Sequence, residues 1–357
     1  MTIQKSLLTF LLVLVLAPSY AQKYDVLELP SVPSALASKS LIYSIDKFGD
    51  RYFAVGQRGH ILYSDDGGDS WIQAEVPVRS SILAINFVTP DLGWAVGHEA
   101  VILNTVDGGK TWSKQYDGIR YGNEGLAFYQ ELVKKNPDNE DYPYFVEELE
   151  FAVSQGADKP LFGVYFHNEK WGHALGAYGM ALMTTDGGDS WEPVMHHIEN
   201  NSFFHIFDFA PLPGEGKFFL SGEAGLFIEA DVTSRVSVQV KSVPWEGSFF
   251  ASVNTVDNAI VMGGLRGRMF RTPDVGETWA AVKKPSTSTI VDSVRLENGA
   301  LIFVGIAGEI LLSTDNGFNF TRLPISSGGR IYTVAEGPES TLLVGGPGGI
   351  QKLVLPQ

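Results

Sequence analysis

The chain has 357 residues, no cysteine, and 41 acidic against 26 basic side chains, which give a formal net charge of −15. The lack of cysteine excludes disulfides, thiolate nucleophiles and cysteine metal sites. The acidic excess argues against nucleic acid and anionic membrane surfaces as partners, because both require clustered Lys and Arg, and it suits a soluble protein or one with a basic partner.

The first residues predict a signal peptide, residues 1–21. Lys5 supplies a positive charge, and Leu7–Leu16 is an apolar run of about ten residues, too short to span a bilayer comfortably. Small residues in Ser19–Ala21 suit cleavage after Ala21. The alternative is an uncleaved anchor helix. We expect a mature chain, 22–357, that is periplasmic or secreted and has no later transmembrane segment.

The next segments predict the start of a β-rich fold. Tyr24–Leu29 alternates like an edge strand, and Pro30–Ser38 is a proline-containing linker. From Ser40 onward the chain repeats a unit of about 40 residues with four short antiparallel strands, the period of a propeller blade.

A turn motif, Ser/Thr-x-Asp-x-Gly-x-Ser/Thr-aromatic, marks these repeats. The copies are SDDGGDSW (64–71), TVDGGKTW (105–112), TTDGGDSW (184–191), TPDVGETW (272–279) and a worn copy, STDNGFNF (313–320). The aspartate can accept hydrogen bonds within the turn, the glycine can take positive φ, and the aromatic residue opens the next strand. We therefore expect structural rather than catalytic or metal-binding roles for Asp66, Gly68, Trp71, Asp107, Gly109, Trp112, Asp186, Gly188, Trp191, Asp274, Gly276, Trp279, Asp315, Gly317 and Phe320.

The repeats predict an all-β, seven-bladed propeller. The expected blades begin at Ser40 and Ser81, span Leu161–Val194, Phe203–Val243, Phe249–Lys284 and Ile290–Leu323, and end with a three-stranded blade from Arg330. The fourth blade has lost the turn motif, at Glu229–Val236. The spare strand at Tyr24–Leu29 would pair near Gly349–Leu355 and close the ring.

Residues 118–160 interrupt the repeat between blades two and three. Apolar residues recur at helical spacing in Glu124–Lys135 and again in Tyr142–Gln155, which predicts an acidic helical hairpin. Two interpretations stay open: a decorative loop whose apolar face rests on the propeller, or an element that docks a partner.

The turn motif resembles the Asp box of BNR-repeat propellers. The longer pattern Val-Gly-x-x-Gly-x-Ile-x-x-Thr-x-Asp-Gly-Gly-x-Thr-Trp is similar to the photosystem II assembly and stability factor family and its relatives in non-photosynthetic bacteria. This resemblance covers nearly the whole mature chain. It implies an exported, non-enzymatic, monomeric propeller that assembles, stabilises or scaffolds a membrane or envelope protein complex, with a photosynthetic complex and an exporter both open as partners.

One face of the predicted propeller is the expected binding surface. If strands A to D run outward from the axis, the turn motif joins C to D. The B–C turns, the crossovers between blades and the hairpin lie on the opposite face, here called the B–C face, where propellers usually bind ligands. Candidate binding residues there are Arg58, His98, Glu99, Tyr178, Glu223, Trp245, Arg266 and Arg330, with Arg79, His196 and His197 nearby.

Neither a cofactor nor a metal is expected. If His196 and His197 lie on a strand, their rings point to opposite faces and make a poor metal pair.

Two other function classes remain. A sialidase would need an arginine triad, a Tyr/Glu nucleophile pair and an acid. A retaining or inverting glycosidase would need two carboxylates, which Glu99 and Glu223 could supply if they faced one another. A carbohydrate- or lipid-binding module could use Tyr178 and Trp245 as stacking platforms.

Overall fold

A computed structural model of the chain describes residues 25–212, 216–231, 237–283 and 286–356. The predicted signal peptide, 1–21, lies outside the described residues. The described strands are β1 Ile42–Phe48, β2 Arg51–Gly56, β3 Ile61–Ser64, β4 Ile72–Gln73, β5 Ile82–Phe87, β6 Gly93–Gly97, β7 Ile102–Thr105, β8 Ser113–Tyr116, β9 Leu161–Phe166, β10 Gly172–Gly176, β11 Ala181–Thr184, β12 Glu192–Pro193, β13 Ile206–Pro211, β14 Lys217–Gly222, β15 Phe227–Asp231, β16 Ser237–Val240, β17 Phe249–Asn254, β18 Ile260–Gly264, β19 Met269–Thr272, β20 Ala280–Ala281, β21 Ile290–Arg295, β22 Leu301–Gly305, β23 Ile310–Ser313, β24 Thr321–Arg322, β25 Thr333–Gly337, β26 Thr341–Gly346 and β27 Gly349–Val354.

These strands pair in chain order into seven antiparallel sheets among the described residues, six with four strands and the last with three. We call the sheets blades one to seven. The first strand of each blade contacts the first strand of the next, and β25 of blade seven contacts β1 of blade one, so the contacts run in a cycle. The predicted seven-bladed architecture is confirmed, including the short last blade.

The interruption between blades two and three forms a helical hairpin, as predicted. Helix α1 spans Gly118–Lys135 and helix α2 spans Tyr142–Gln155. The first helix begins well before the predicted Glu124 because the Asp117 side chain caps it, accepting the N–H groups of Ile119 and Arg120. Small residues bring the helices together, since a Cβ at Gly122 would lie 3.1 Å from Val153 Cγ2.

The hydrophobic core lies between the blades. Trp94 of blade two is fully buried and stacks on Phe166 of blade three, with ring centroids 3.4 Å apart. Phe53 of blade one stacks similarly on Phe87 of blade two at 4.0 Å. The second strand of each blade is packed on both faces, so β6, β10, β18 and β22 are buried throughout and read as continuous rather than alternating runs.

The turn motif uses its polar side chains inside its own turn. In blade three, Thr184 Oγ1 accepts the N–H of Gly188 at 2.9 Å and donates to Asp186 Oδ1 at 2.8 Å, and Asp186 Oδ1 accepts the N–H of Ser190 at 3.0 Å. The other four copies repeat this arrangement. In the worn copy the hydrogen bond from the Asn319 side chain holds the pKa of Asp315 below its usual range.

The predicted strand at Tyr24–Leu29 is wrong. Its described part, Asp25–Leu29, forms turns, because Asp25 Oδ1 accepts the N–H of Leu27 at 3.0 Å and closes a local loop. Lys114 Nζ of blade two then binds the carbonyl of Leu27 at 3.2 Å. The segment therefore lies against blades one and two, and among the described residues β27 pairs only with β26, so Gly349–Leu355 gains no outer strand.

The seam between blades seven and one is held by side chains and by a later part of the N-terminal segment. The Ile45 N–H donates to Thr333 Oγ1 at 3.0 Å, and Lys352 forms an ion pair with Asp69. The 3₁₀ turn Ala37–Lys39 packs beside the start of β27. Residues 25–39 thus form a strap that runs from blade two across blade one to blade seven.

Candidate functional site

The B–C face carries one strained residue at the same position of five turns. Arg58, Glu99, Tyr178, Ala224 and Arg266 all have φ between 52° and 58°, the left-handed region. Such a conformation costs a non-glycine residue about 1–2 kcal/mol. The side chains of Arg58, Tyr178 and Arg266 are exposed. Four of the predicted binding residues therefore stand one per blade around the face and do not form a cluster.

The two candidate catalytic glutamates are not brought together. Glu223 Oε2 accepts the N–H of His205 at 3.1 Å, and the Glu223 N–H donates to the His205 carbonyl at 2.9 Å. Glu223 therefore fixes the start of blade four. Glu99 is half-buried, and no hydrogen bond or ion pair joins it to Glu223 among the described residues. Paired carboxylates for glycoside hydrolysis are not formed by these two residues.

The remaining predicted residues lie apart from one another. Trp245 and Arg266 line one open cavity of ≈ 710 Å³ between the blade-four crossover and the blade-five turn. Arg79 Nε donates to the carbonyl of Pro30 at 3.1 Å, so it fastens the strap. Arg330 is exposed at the start of blade seven. His98 is half-buried in its turn.

The interpretation of His196 and His197 as strand residues is wrong. They lie in a 3₁₀ turn, Met195–His197, so their rings are neighbours with centroids 3.9 Å apart. His196 Nδ1 hydrogen-bonds to the hydroxyl of Tyr129 on α1 at 3.1 Å. Burial, with a smaller contribution from His197, lowers the pKa of His196 to about 4. His196 therefore fastens the hairpin to blade three.

A collar of seven side chains, one from each blade, narrows the central channel at its B–C end; its members are Tyr43, Leu83, Phe162, Phe207, Phe250, Val291 and Tyr332. Six of them are the unpaired residues of β-bulges in the first strand of their blade. In blade one, for example, Ile42 pairs with Gly56 and Ser44 with Val55, which leaves Tyr43 without a partner residue. A bulge redirects a side chain, here from the sheet face into the channel.

Carboxyl groups line the channel below the collar. Asp208 and Asp292 directly follow collar residues, and Asp46 lies farther down, in a cavity of ≈ 590 Å³. Asp208 accepts the Ser252 hydroxyl, and Asp292 Oδ2 accepts the Val334 N–H at 2.8 Å. Burial raises the pKa of Asp208 to about 7 and those of Asp46 and Asp292 to about 6. Mutual repulsion adds to the effect, so the channel favours neutral carboxyl groups or a bound cation.

Sequence reasoning missed the collar, although a signal was present. Each blade opens with two consecutive apolar residues, such as Ile206-Phe207 and Phe249-Phe250, where strict alternation would place a polar residue second. Two apolar residues in a row at the same point of every repeat indicate a bulge.

The described residues were also compared with the requirements for a metal site and for a membrane-spanning helix. No group of three or more His, Asp or Glu side chains is placed to hold a metal ion there. No helix in the described ranges is both long and apolar enough to cross a membrane.

Comparison with known proteins gives one family. The family model described as photosynthesis system II assembly factor YCF48 matches residues 69–133 and 148–350. The comparison with curated protein sequences finds no match.

Solved structures share the fold. A structure described as YCF48 bound to D1 peptide is 15% identical, with a TM-score of 0.65, and the alignment covers 92% of this chain and 100% of that one. YCF48 from Cyanidioschyzon merolae is 17% identical, with a TM-score of 0.63, over 88% of this chain and 96% of that one. The WD40 propeller domain of Doa1 is 12% identical, with a TM-score of 0.59, over 93% and 96%.

Proposed function

The chain belongs to the photosynthesis system II assembly factor YCF48 family, and on that premise we propose that it is an exported, non-enzymatic propeller that binds a membrane protein and assists the assembly or stability of its complex. The observation that carries the proposal is the extent of the family match, which runs from the first turn motif to the last blade and leaves out part of the hairpin, residues 134–147. A YCF48 structure with a bound D1 peptide supports a polypeptide as the ligand.

A binding role suits the B–C face better than turnover does. Glu223 is committed to holding the backbone of His205, and Glu99 stands on another blade. The aromatic collar and the exposed Tyr178 instead offer apolar contact area of the kind found at protein interfaces.

The helical hairpin is the element we expect the partner to contact. Its exposed apolar side chains include Ile119, Tyr144 and Phe151, which are 49%, 62% and 56% exposed. Tyr144 and Phe151 both lie on α2, and exposed aromatic side chains on a surface helix are typical of a docking site. The interpretation of the hairpin as a decorative loop accounts for its buried face, which packs on His196, but not for this outer face.

The test is co-purification from the native envelope. A variant with residues 122–158 replaced by a short glycine linker should remain a folded propeller by circular dichroism but lose the membrane protein that the full chain captures. The exposed substitution Phe318→Ser, on the opposite face, serves as the matched control and should retain the partner. Equal capture by the deletion variant would remove the hairpin from the interface.

Export is part of the proposal and has its own measurement. N-terminal sequencing of the protein from its native host should begin at Gln22, after cleavage following Ala21. A protein that starts at Met1 or Thr2 in a soluble cytoplasmic fraction would contradict export.

A further inference from the structure

We propose that the B–C face holds an extended, positively charged segment of the partner polypeptide along a row of aromatic rings that leads from helix α2 into the collar. The proposal rests on the proposed function, because it names the chemistry of the partner's bound segment. We call this row the aromatic track; it consists of Phe151, Tyr178, His205, Phe162, Phe207 and Phe250.

The aromatic track is continuous. Tyr178 contacts His205 with ring centroids 4.8 Å apart, and His205 in turn lies 5.7 Å from Phe207. Phe207 then contacts Phe162 at 5.4 Å and Phe250 at 4.9 Å, and both of these are collar residues. Phe162 also contacts His205 at 6.1 Å, so the rings form a continuous row that connects the exposed turn of blade three with the channel mouth and broadens there.

At its outer end the track is joined to the hairpin by Lys159, which lies between Tyr178 and Phe151. The ammonium group of Lys159 lies 5.1 Å from the ring centre of Tyr178 and 5.9 Å from that of Phe151. Glu148 pairs with this ammonium group. The Lys159 side chain, which is 7% exposed, itself occupies the space beside these two rings, and its position shows that the rings attract an ammonium group.

The acidic groups near the track favour a positively charged peptide as the ligand. The segment 118–159, which includes Lys159 beside the track, contains nine acidic and four basic residues. At the inner end, Asp208 and Asp292 stand directly below the collar. A lysine or arginine side chain that passed the collar would meet these carboxyl groups and favour their ionised form. The carboxyl groups below the collar and the acidic excess of the hairpin therefore complement positive charge.

The shape of the track favours an extended polypeptide over a lipid or a sugar. A continuous row of rings with carboxyl groups below its inner end fits a chain that presents apolar and cationic side chains in alternation. A lipid tail would need an enclosed apolar pocket, and anionic head groups would be repelled by the acidic hairpin. A sugar would need several unpaired polar groups beside the rings.

The test measures binding of a defined peptide to the full mature chain. The probe is a fluorescently labelled peptide of about twelve residues that alternates Phe and Lys, and its control peptides replace either Lys by Glu or Phe by Ser. We expect the Phe/Lys peptide to bind most tightly, and its affinity to fall as salt rises from about 0.05 to about 0.5 M.

Two variants and a matched control locate the peptide. Tyr178→Ser changes a side chain that is 51% exposed, so it leaves the fold intact, and Phe207→Ser changes the collar. Each should weaken binding about tenfold. Phe318→Ser removes an aromatic side chain that is 57% exposed on the opposite face and should leave affinity unchanged. The proposal is overturned if Tyr178→Ser binds like the unaltered chain, or if the Phe/Glu peptide binds equally well.

Two further measurements separate this inference from the proposed function. If the full chain captures its membrane partner and Tyr178→Ser captures it equally, the track is wrong and the assembly role stands. If no partner is captured but the peptide results hold, the assembly role fails and the track stands. Binding of the chain to vesicles of neutral or anionic phospholipid, abolished by Tyr178→Ser, would replace the polypeptide with a membrane and overturn the proposal.

Discussion

The substitution Asp208→Asn should stabilise the propeller at neutral and alkaline pH. Asp208 lines the channel, accepts the Ser252 hydroxyl, and has a pKa raised by burial to about 7. Asparagine keeps a carbonyl acceptor for that hydroxyl, occupies the same volume and cannot ionise. The substitution therefore removes the cost of the buried charge while leaving the local packing in place.

The magnitude follows from proton linkage. In the unfolded chain the carboxyl group ionises near pH 3.8, whereas in the folded chain it holds its proton to about pH 7. Between these values the folded state binds more protons, so the stability of the unaltered chain falls as pH rises through this window. The difference between the two pKa values corresponds to about 4 kcal/mol in the free energy of unfolding. Solvent in the open channel reduces this contribution to about 2 kcal/mol.

Urea unfolding between pH 4 and pH 8, followed by tryptophan fluorescence, measures this effect. The variant and the unaltered chain should have equal stability near pH 4, and the variant should be more stable by about 2 kcal/mol at pH 8. Asp315→Asn is the control, because its effect on stability should have the opposite sign. The pKa of Asp315 is held low by the Asn319 side chain, so that variant should be less stable at neutral pH, and the deficit should vanish as pH falls. Parallel pH profiles for Asp208→Asn and the unaltered chain would refute the reasoning.

Other substitutions test the packing and the hairpin. Trp94→Ala should cost about 3–5 kcal/mol in urea unfolding because it removes a fully buried ring stacked on Phe166, and a loss below 1 kcal/mol would contradict that packing. Thr184→Val should cost about 1–3 kcal/mol because the Gly188 N–H loses its acceptor while the side-chain volume is kept; an unchanged midpoint in the same assay would refute this account of the turn motif. Deletion of residues 122–158 should raise the pKa of His196 from about 4 towards 6.5 in an NMR titration, because the hairpin supplies most of its burial, and an unchanged value would show that the hairpin does not cover it. In the full chain the docking of the hairpin depends on neutral His196, so it should weaken as pH falls from 6.5 towards 4, with faster proteolysis of residues 136–141; a constant cleavage rate would contradict that dependence.

The sequence predicted those parts of the fold that depend on local chemistry. The turn motif specifies its own geometry, since the hydroxyl, carboxylate and glycine satisfy one another within a few residues, as at Thr184 and Gly188. The blades and the hairpin follow from periodic patterns of apolar residues. These features repeat along the chain, so each copy supports the interpretation of the others.

The sequence did not predict features that depend on competing local bonds or on distant contacts. Alternation at Tyr24–Leu29 suggested a strand, but the Asp25 carboxylate closes a turn that alternation does not reveal. The neighbouring rings of His196 and His197 follow from a 3₁₀ turn fixed by packing under α1. The collar forms only when six bulges and the start of the last blade converge on one axis. No single repeat reveals that convergence.

The five strained turns allow side chains on the B–C face to be substituted with little effect on the fold. Their backbone shape is set by the flanking strands, so it stays the same whether the strained position holds arginine, glutamate, tyrosine or alanine. The conformational penalty at that position is similar for all of these residues. Exchanging one for another should therefore change the free energy of unfolding only slightly. Substitutions at these five positions should therefore change the chemistry of the B–C face without changing the fold, and a protein engineer can use them to introduce new binding residues.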